Sequence, residues 1–420
     1  MVQSMLHFIE KSPTCFHVVK NCAERLEQEG YVPLCGREIL PGGKYYITQN
    51  GSALIAFRIP ESAADGFTIA ASHSDSPCFR VRDHAELAGS YVRLSCERYG
   101  GMINASWVDR PLGIAGRVMV LTKDGIEQRL VDFGKDTVLI PNVAIHMNRS
   151  MNEGLSYDPK TDLVPLYGLS DAKGSFRREL AALAGCEEDA VLASDLFVYN
   201  GQRGTVWGAD SAFVSAPRLD DLACVYTSLE AFLQAEAGSI PVLAVFDNEE
   251  IGSETKQGAG SVLLMDILKD VCRCLGMDYS RSLAHSFMLS CDNGHGLHPN
   301  HPELADRTEA PVLGGGVIVK HSPRYATDAL SCAVFTEVCR RALVPIQHYS
   351  NRPDQAGGAT LGNIAATRTP VLTADIGMAQ LAMHSAFETA ACADVPSMIR
   401  AVKAVYEMRL TVQGDAIGIG

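Results

Sequence analysis

At 420 residues the chain exceeds what one hydrophobic core usually supports, so a large domain with a smaller companion is the expected organisation. With 47% hydrophobic and 20% charged residues it reads as a globular protein, and no apolar run is long enough to span a bilayer. A net charge of -13 argues against nucleic acid as the main partner and eases the accommodation of a cation near the centre.

The 13 cysteines are odd in number and lack CxxC pairs, which predicts reduced, mostly buried thiols. The chain opens without a cationic segment followed by an apolar stretch and a small-residue cleavage site, so a cytoplasmic location is expected. Ser12-Pro13 predicts an N-cap and first helical position; Phe16, Val19, Cys22 and Leu26 recur at helical spacing, and Gly30 stops the helix. The runs 45–48 and 53–57 flank Asn50-Gly51, a dipeptide suited to a tight hairpin. Residues 66–71 form another apolar strand, which runs into Ser72, His73, Ser74, Asp75 and Ser76. In an extended chain His73 and Asp75 point to one side, so the carboxylate can support the imidazole or a metal on it. A lone His-x-Asp is more often a hydrogen-bonded histidine beside a turn acid; its place at a strand end singles this one out.

From about Val81 to Pro217 the texture changes to short β-prone runs at 91–95, 116–121, 129–131 and 137–140 with frequent glycines. This predicts a β-rich inserted domain over 81–217, dividing a larger α/β domain into 1–80 and 218–420. Within it Trp107 reads as core, Asp109-Arg110 as a local ion pair and His146 as a structural histidine.

Beyond Pro217, Asp220 precedes a helix over 223–234, where an N-cap is the ordinary reading and a bridging metal carboxylate the functional one. PVLAVF at 241–246 is apolar on both faces, as in a parallel strand covered by helices, with Pro241 tolerated at its start. It ends in Asp247, Asn248, Glu249 and Glu250, at the carboxyl edge where open α/β sheets bind ligands. A helix over 261–275 follows, then a strand over 286–290 leading to Asp292, a strand over 317–320 and a helix over 329–343. A strand at 370–374, a connection over 375–382, His384 in the next loop and a helix over 395–408 complete the chain.

His73, Asp220, Glu250, Asp292 and His384 are five ligand-type residues following different elements, and mixed nitrogen and oxygen donors suit zinc while admitting manganese or cobalt. Five protein ligands fit two divalent ions sharing one carboxylate, roughly 3.5–4 Å apart, an arrangement that points to hydrolysis with Glu249 as general base. His295, His298 and His301 compete for attention, but glycine and prolines break any helix there and no HExxH occurs, so they read as a loop shaping the site.

The segments HSDSP from His73, YGGMINASWVDRPL from Tyr99, IPNVAIHMNR from Ile140, RLDD from Arg218, FDNEEIGS from Phe246, SCDNGHGLHPN from Ser290 and QLAMHS from Gln380 follow the order found in the aspartyl aminopeptidases, metallopeptidase family eighteen. The chain resembles that family over nearly its whole length. The resemblance implies a zinc-peptidase-like α/β/α catalytic domain interrupted by a β-rich dimerisation domain, assembled as tetrahedral dodecamers. It further implies one metal on His73, Asp220 and Asp292 and a second on Asp220, Glu250 and His384, with Asp75 supporting His73 and Glu249 as the base. By the same resemblance His146 reaches a neighbouring subunit's site to stabilise the reacting carbonyl oxygen, and Lys320 pairs with an acidic substrate side chain. The chain departs from the common RLDN form by carrying Asp221. The resulting expectation is release of N-terminal Asp or Glu from peptides; alternatives are an aminopeptidase of broad or neutral preference and a non-catalytic oligomeric scaffold.

Overall fold

The run Ile240–Phe246 is a strand buried at every position, and the fold is built outward from it. Leu243 and Val245 enter one core, while Val242, Ala244 and Phe246 enter another, so both faces of the strand are dry as its composition requires. The computed structural model describes residues 1–420 apart from 37, 62–63, 237, 356 and 414–415.

The strand sits in a nine-stranded sheet whose spatial order is 32–33, 44–49, 53–58, 240–246, 67–73, 287–291, 372–377, 317–321 and 346–350. The four strands 240–246, 67–73, 287–291 and 372–377 run parallel to one another. Phe246 is level with His73, and Ser290 with Ala71, so the residues following these strands emerge along a single carboxyl edge. Helices Val2–Lys11, Cys15–Gln28, Leu219–Gln234, Ala329–Arg341 and Asp394–Glu407 cover one face, and Leu263–Leu275, Tyr279–Ala284 and Leu361–Ala366 the other. Phe232 packs against Tyr406 with ring centroids 5.6 Å apart, each burial contributing roughly 1.5–3 kcal/mol by removal from water.

A second sheet of seven strands lies within Cys78–Tyr199 and closes on itself, because Val191–Tyr199 pairs with both Cys78–Leu87 and Pro111–Thr122. Closure removes most of its edges and gives a barrel-like body with its own core around Trp107, which meets Phe79 edge to face. This sheet ends at Tyr199, short of the boundary expected at 217: Thr205–Trp207 and Phe213–Ala216 instead join a five-stranded sheet with Glu388–Ala391, Ala379–Leu381 and Gly294–His295. The 375–382 segment, expected as a connection, is largely strand for the same reason.

Ser12 is also corrected: it ends the helix Val2–Lys11, which buries Met5, Leu6 and Ile9, and Thr14 is the N-cap of Cys15–Gln28. Asp109 accepts from the backbone and side chain of Asn142, so its partner is not Arg110.

Candidate metal centre

Two histidines are each gripped by one ring nitrogen and aim the other at Asp220. His73 Nδ1 donates to the Asp75 carbonyl oxygen at 3.1 Å and lies 3.3 Å from its Oδ1. Its Nε2 then faces Asp220 Oδ1 at 3.6 Å and Asp221 Oδ2 at 4.0 Å. His384 Nδ1 donates to the Gly101 carbonyl oxygen at 2.7 Å, leaving Nε2 3.5 Å from both Asp220 Oδ2 and Glu250 Oε1. A carbonyl only accepts, so in both rings Nε2 is the atom free to ligate. Ligand-type atoms of His73, Asp220, Asp221 and Asp292 fall within 4.8 Å of one another, as do those of Asp220, Glu250 and His384, and those of His73, Glu249 and Glu250.

Asp220 Oδ1, Asp221 Oδ1 and Glu250 Oε1 are buried with no hydrogen-bond partner, a costly state unless a cation takes them. Burial pushes the Glu250 carboxyl well up, with the charge of Asp220 adding to it; burial, Asp292 and Asp220 do the same to Asp221, against the pull of His73. Burial alone would lower the histidines, yet Asp221, Asp220 and Asp75 raise His73, and Asp220 with Glu250 lifts His384 to about 10. Protons are thus drawn onto Glu250, Asp221 and both histidines, while His384 and His73 hold the Asp220 carboxyl well below the usual carboxylate range against its burial. Nitrogen and oxygen donors in that field, with orphaned oxygens among them, fit divalent cations of the zinc class.

Asp75 organises the strand ends. Its carboxylate accepts the backbone N–H groups of Glu249 and Glu250, both at 3.1 Å, and the Tyr99 hydroxyl at 2.7 Å. Asn248, in the left-handed region at φ 63, donates to that hydroxyl at 2.9 Å. Glu388 accepts the N–H of Asp220 at 3.0 Å and that of His384 at 2.7 Å, tying the two ligand-bearing segments together. Gly100, at φ +75, lies so close that a Cβ there would stand 3.1 Å from Glu250 Cβ. Tyr99, Asn248 and Glu388 were not singled out by sequence reasoning. Tyr99 and Gly100 belong to the YGG motif, a usable signal, whereas Glu388 has none in its own neighbourhood.

Glu249 is half-buried at the rim, and burial pushes its carboxyl up to about 7, with His73 opposing and Asp292 adding. Lys320 is only 2% exposed; its Nζ lies 3.4 Å from Asp292 Oδ2 and donates to the Asn293 carbonyl oxygen at 2.9 Å. His295 is level with Gln380 and meets Tyr349 edge-on at 6.0 Å, and like His298 and His301 it is exposed. His146 is not brought to the cluster of its own chain: it stands exposed in the segment between Val138–Leu139 and Met151–Glu153.

An α/β/α sheet bearing a histidine-carboxylate cluster on its carboxyl edge defines a zinc-peptidase-like hydrolase. Residues 8–406 match the family described as Aminopeptidase I zinc metalloprotease (M18), and the chain belongs to this family of metal-dependent aminopeptidases. It is 40% identical over 404 residues to the probable M18 family aminopeptidase 2 of Clostridium acetobutylicum, covering 91% of this chain and 93% of that one. A chain of the cryo-EM structure of the Ape4 and Nbr1 complex superposes with a TM-score of 0.91 at 30% identity, covering 96% of this chain and 85% of that one. The structure of the S. cerevisiae mApe1 dodecamer gives a TM-score of 0.84 at 28% identity, covering 96% of this chain and 97% of that one. Among the described residues no helix is long and apolar enough to cross a membrane.

Proposed function

We propose that the protein removes N-terminal Asp or Glu from peptides, using two divalent cations, zinc foremost, with cobalt or manganese as substitutes. The observation carrying this reading is the division of Asp220: Oδ1 faces His73 at 3.6 Å and Oδ2 faces His384 at 3.5 Å. One cation would be held by His73, Asp220 and Asp292 and the other by Asp220, Glu250 and His384. When bound, the cations would lower the pKa of water and polarise the scissile carbonyl.

The chain's own groups do the rest. Glu249 takes the proton of the attacking water and returns it to the departing amine, a transfer aided by a pKa near the working pH. Asp75 fixes this glutamate and its neighbour through their N–H groups and orients His73. Lys320, buried beside Asp292, attracts an acidic side chain of the substrate. His146 of one subunit completes a neighbour's site by donating to the carbonyl oxygen. The β-rich insertion, read as 81–217, supplies dimer contacts within a tetrahedral dodecamer, in keeping with the mApe1 dodecamer. All 13 cysteines are unbridged, which supports a reducing, cytoplasmic setting.

The test is hydrolysis of a peptide panel varying only in the first residue, after chelation and after return of zinc, cobalt or manganese. Metal-dependent turnover with the highest kcat/KM for Asp or Glu is expected. Equal or greater kcat/KM for neutral first residues would replace the acidic preference by a broad one, and full turnover in metal-free protein would remove the mechanism.

A further inference from the structure

Away from the central cleft, three ligand-type side chains converge beside the strand that carries Lys320. His321 follows Lys320 on Val317–His321, and consecutive strand residues leave the sheet on opposite faces. His348 lies on the neighbouring parallel strand Ile346–Ser350, level with Val319, so it shares a face with His321 two residues on. The imidazoles stack with centroids 5.2 Å apart, and His321 Nε2 stands 3.0 Å from His348 Nδ1. Cys332, from helix Ala329–Arg341, brings Sγ to 3.9 Å from the same His321 Nε2. One ligand atom from each of the three lies within 4.8 Å of the other two.

Tetrahedral zinc, with bonds of about 2.0–2.1 Å to nitrogen and 2.3 Å to sulfur, keeps its ligand atoms roughly 3.3–3.6 Å apart. The separations of 3.0 and 3.9 Å lie on either side of that range, so adjustments of a few tenths of an ångström suffice. Cys332 lies in the first turn of its helix, whose start is fixed by a capping box between Asp328 and Ser331. His348 is exposed and the other two are half-buried, which leaves an approach from solvent.

We propose that His321, Cys332 and His348 form a peripheral site for one zinc-class divalent cation, with a fourth position open to water. On binding, Cys332 gives up its Sγ proton to solvent and bonds through the thiolate, while each imidazole bonds through a neutral ring nitrogen. The cation would pin helix Ala329–Arg341 to the last two strands of the sheet, directly behind Lys320.

Sulfur separates this site from the central one, whose donor set holds only nitrogen and oxygen. Cobalt(II) added to the full-length, chelator-treated protein should therefore give a thiolate-to-cobalt charge-transfer band in the near ultraviolet. Cys332→Ala should abolish the band and remove one bound equivalent per chain. His348→Ala, at an exposed position where the fold can be verified by far-ultraviolet circular dichroism, should weaken that equivalent at least tenfold. Failure of the central cations to bind would leave the band in place, so the two sites are judged separately. Absence of the band in the unaltered protein, its survival in Cys332→Ala, or unchanged cobalt affinity in folded His348→Ala would each overturn the proposal.

Discussion

Lys320 and Asp292 form a buried pair, with Nζ 3.4 Å from Oδ2, directly beside the histidine-carboxylate cluster. The ammonium has three hydrogens, one of which goes to the Asn293 carbonyl oxygen and one of which points towards Asp292. The remaining donor is what an acidic substrate would use. Lys320→Met should lower the ratio of kcat/KM for acidic over neutral first residues by about 30-fold or more, the scale of about 2–5 kcal/mol for losing one partner of a buried charge pair. An unchanged ratio would remove Lys320 from substrate recognition.

Glu249 and Glu250 are neighbours with different surroundings, and their amides should behave differently. Glu249→Gln is expected to lose about 10²–10⁴-fold in kcat while retaining metal, the scale of a lost general base. Glu250→Gln should lose bound metal as well, since Oε1 faces His384 at 3.5 Å. Metal analysis alongside single-turnover kinetics separates the two, and normal turnover by Glu249→Gln would reassign the base.

The pH profile follows from the same glutamate. As a base Glu249 must be ionised, so kcat/KM should fall as pH drops through its pKa. Burial, opposed by His73 and aided by Asp292, lifts that pKa to about 7 in the protein alone, and bound cations pull it down. The acid limb should therefore lie between the ordinary glutamate value of about 4.3 and the raised value. A profile without an acid limb, or with one above neutrality, would contradict this assignment.

Glu388 joins two ligand-bearing segments that are far apart in the chain. Both of its oxygens accept backbone N–H groups, from Asp220 and His384, and burial with the charge of Asp220 lifts its carboxyl to about 8. Glutamine offers only one carbonyl oxygen, so Glu388→Gln should leave one buried N–H unpaired at about 1–3 kcal/mol. Metal affinity should fall about 10–100-fold, as for other groups that orient ligands. Urea unfolding of the chelated protein and a competition titration read the two effects; no change in either would make Glu388 incidental.

His146 supplies a test of shared sites. Removing a comparable donor to a developing oxyanion costs roughly 2.7–4 kcal/mol, so His146→Ala and Glu249→Gln should each be nearly inactive alone. When both are dissociated, mixed and reassembled, a His146→Ala subunit can receive an intact His146 from a Glu249→Gln neighbour, and activity should return. Confirmed hetero-oligomers without recovered hydrolysis would exclude a shared site.

The strand-end residues were legible because their signal is local. An apolar run that stops at His73, at Asp247 to Glu250 or near Asp292 reports both a buried strand and the polar edge where it ends. His384 and Asp220 were weaker, since a loop histidine and an acid near a helix start have ordinary readings, and only their number and order in the chain raised them. The β-rich texture was equally visible, but its end was not: Thr205–Trp207 and Phe213–Ala216 look like more of the same until their partner at Glu388–Ala391 is known.

What the sequence determined by itself is therefore the set of reactive residue types, the alternation of elements and the family to which their order points. Tertiary structure decided which groups meet: Glu388 bonds Asp220 across 168 positions, Tyr99 reaches Asp75, Lys320 is paired with Asp292, and His146 stays away from its own cluster. Hydrophobic period is set by the immediate surroundings of each residue. A hydrogen bond between distant segments depends on how whole sheets and helices pack, and no local pattern records that.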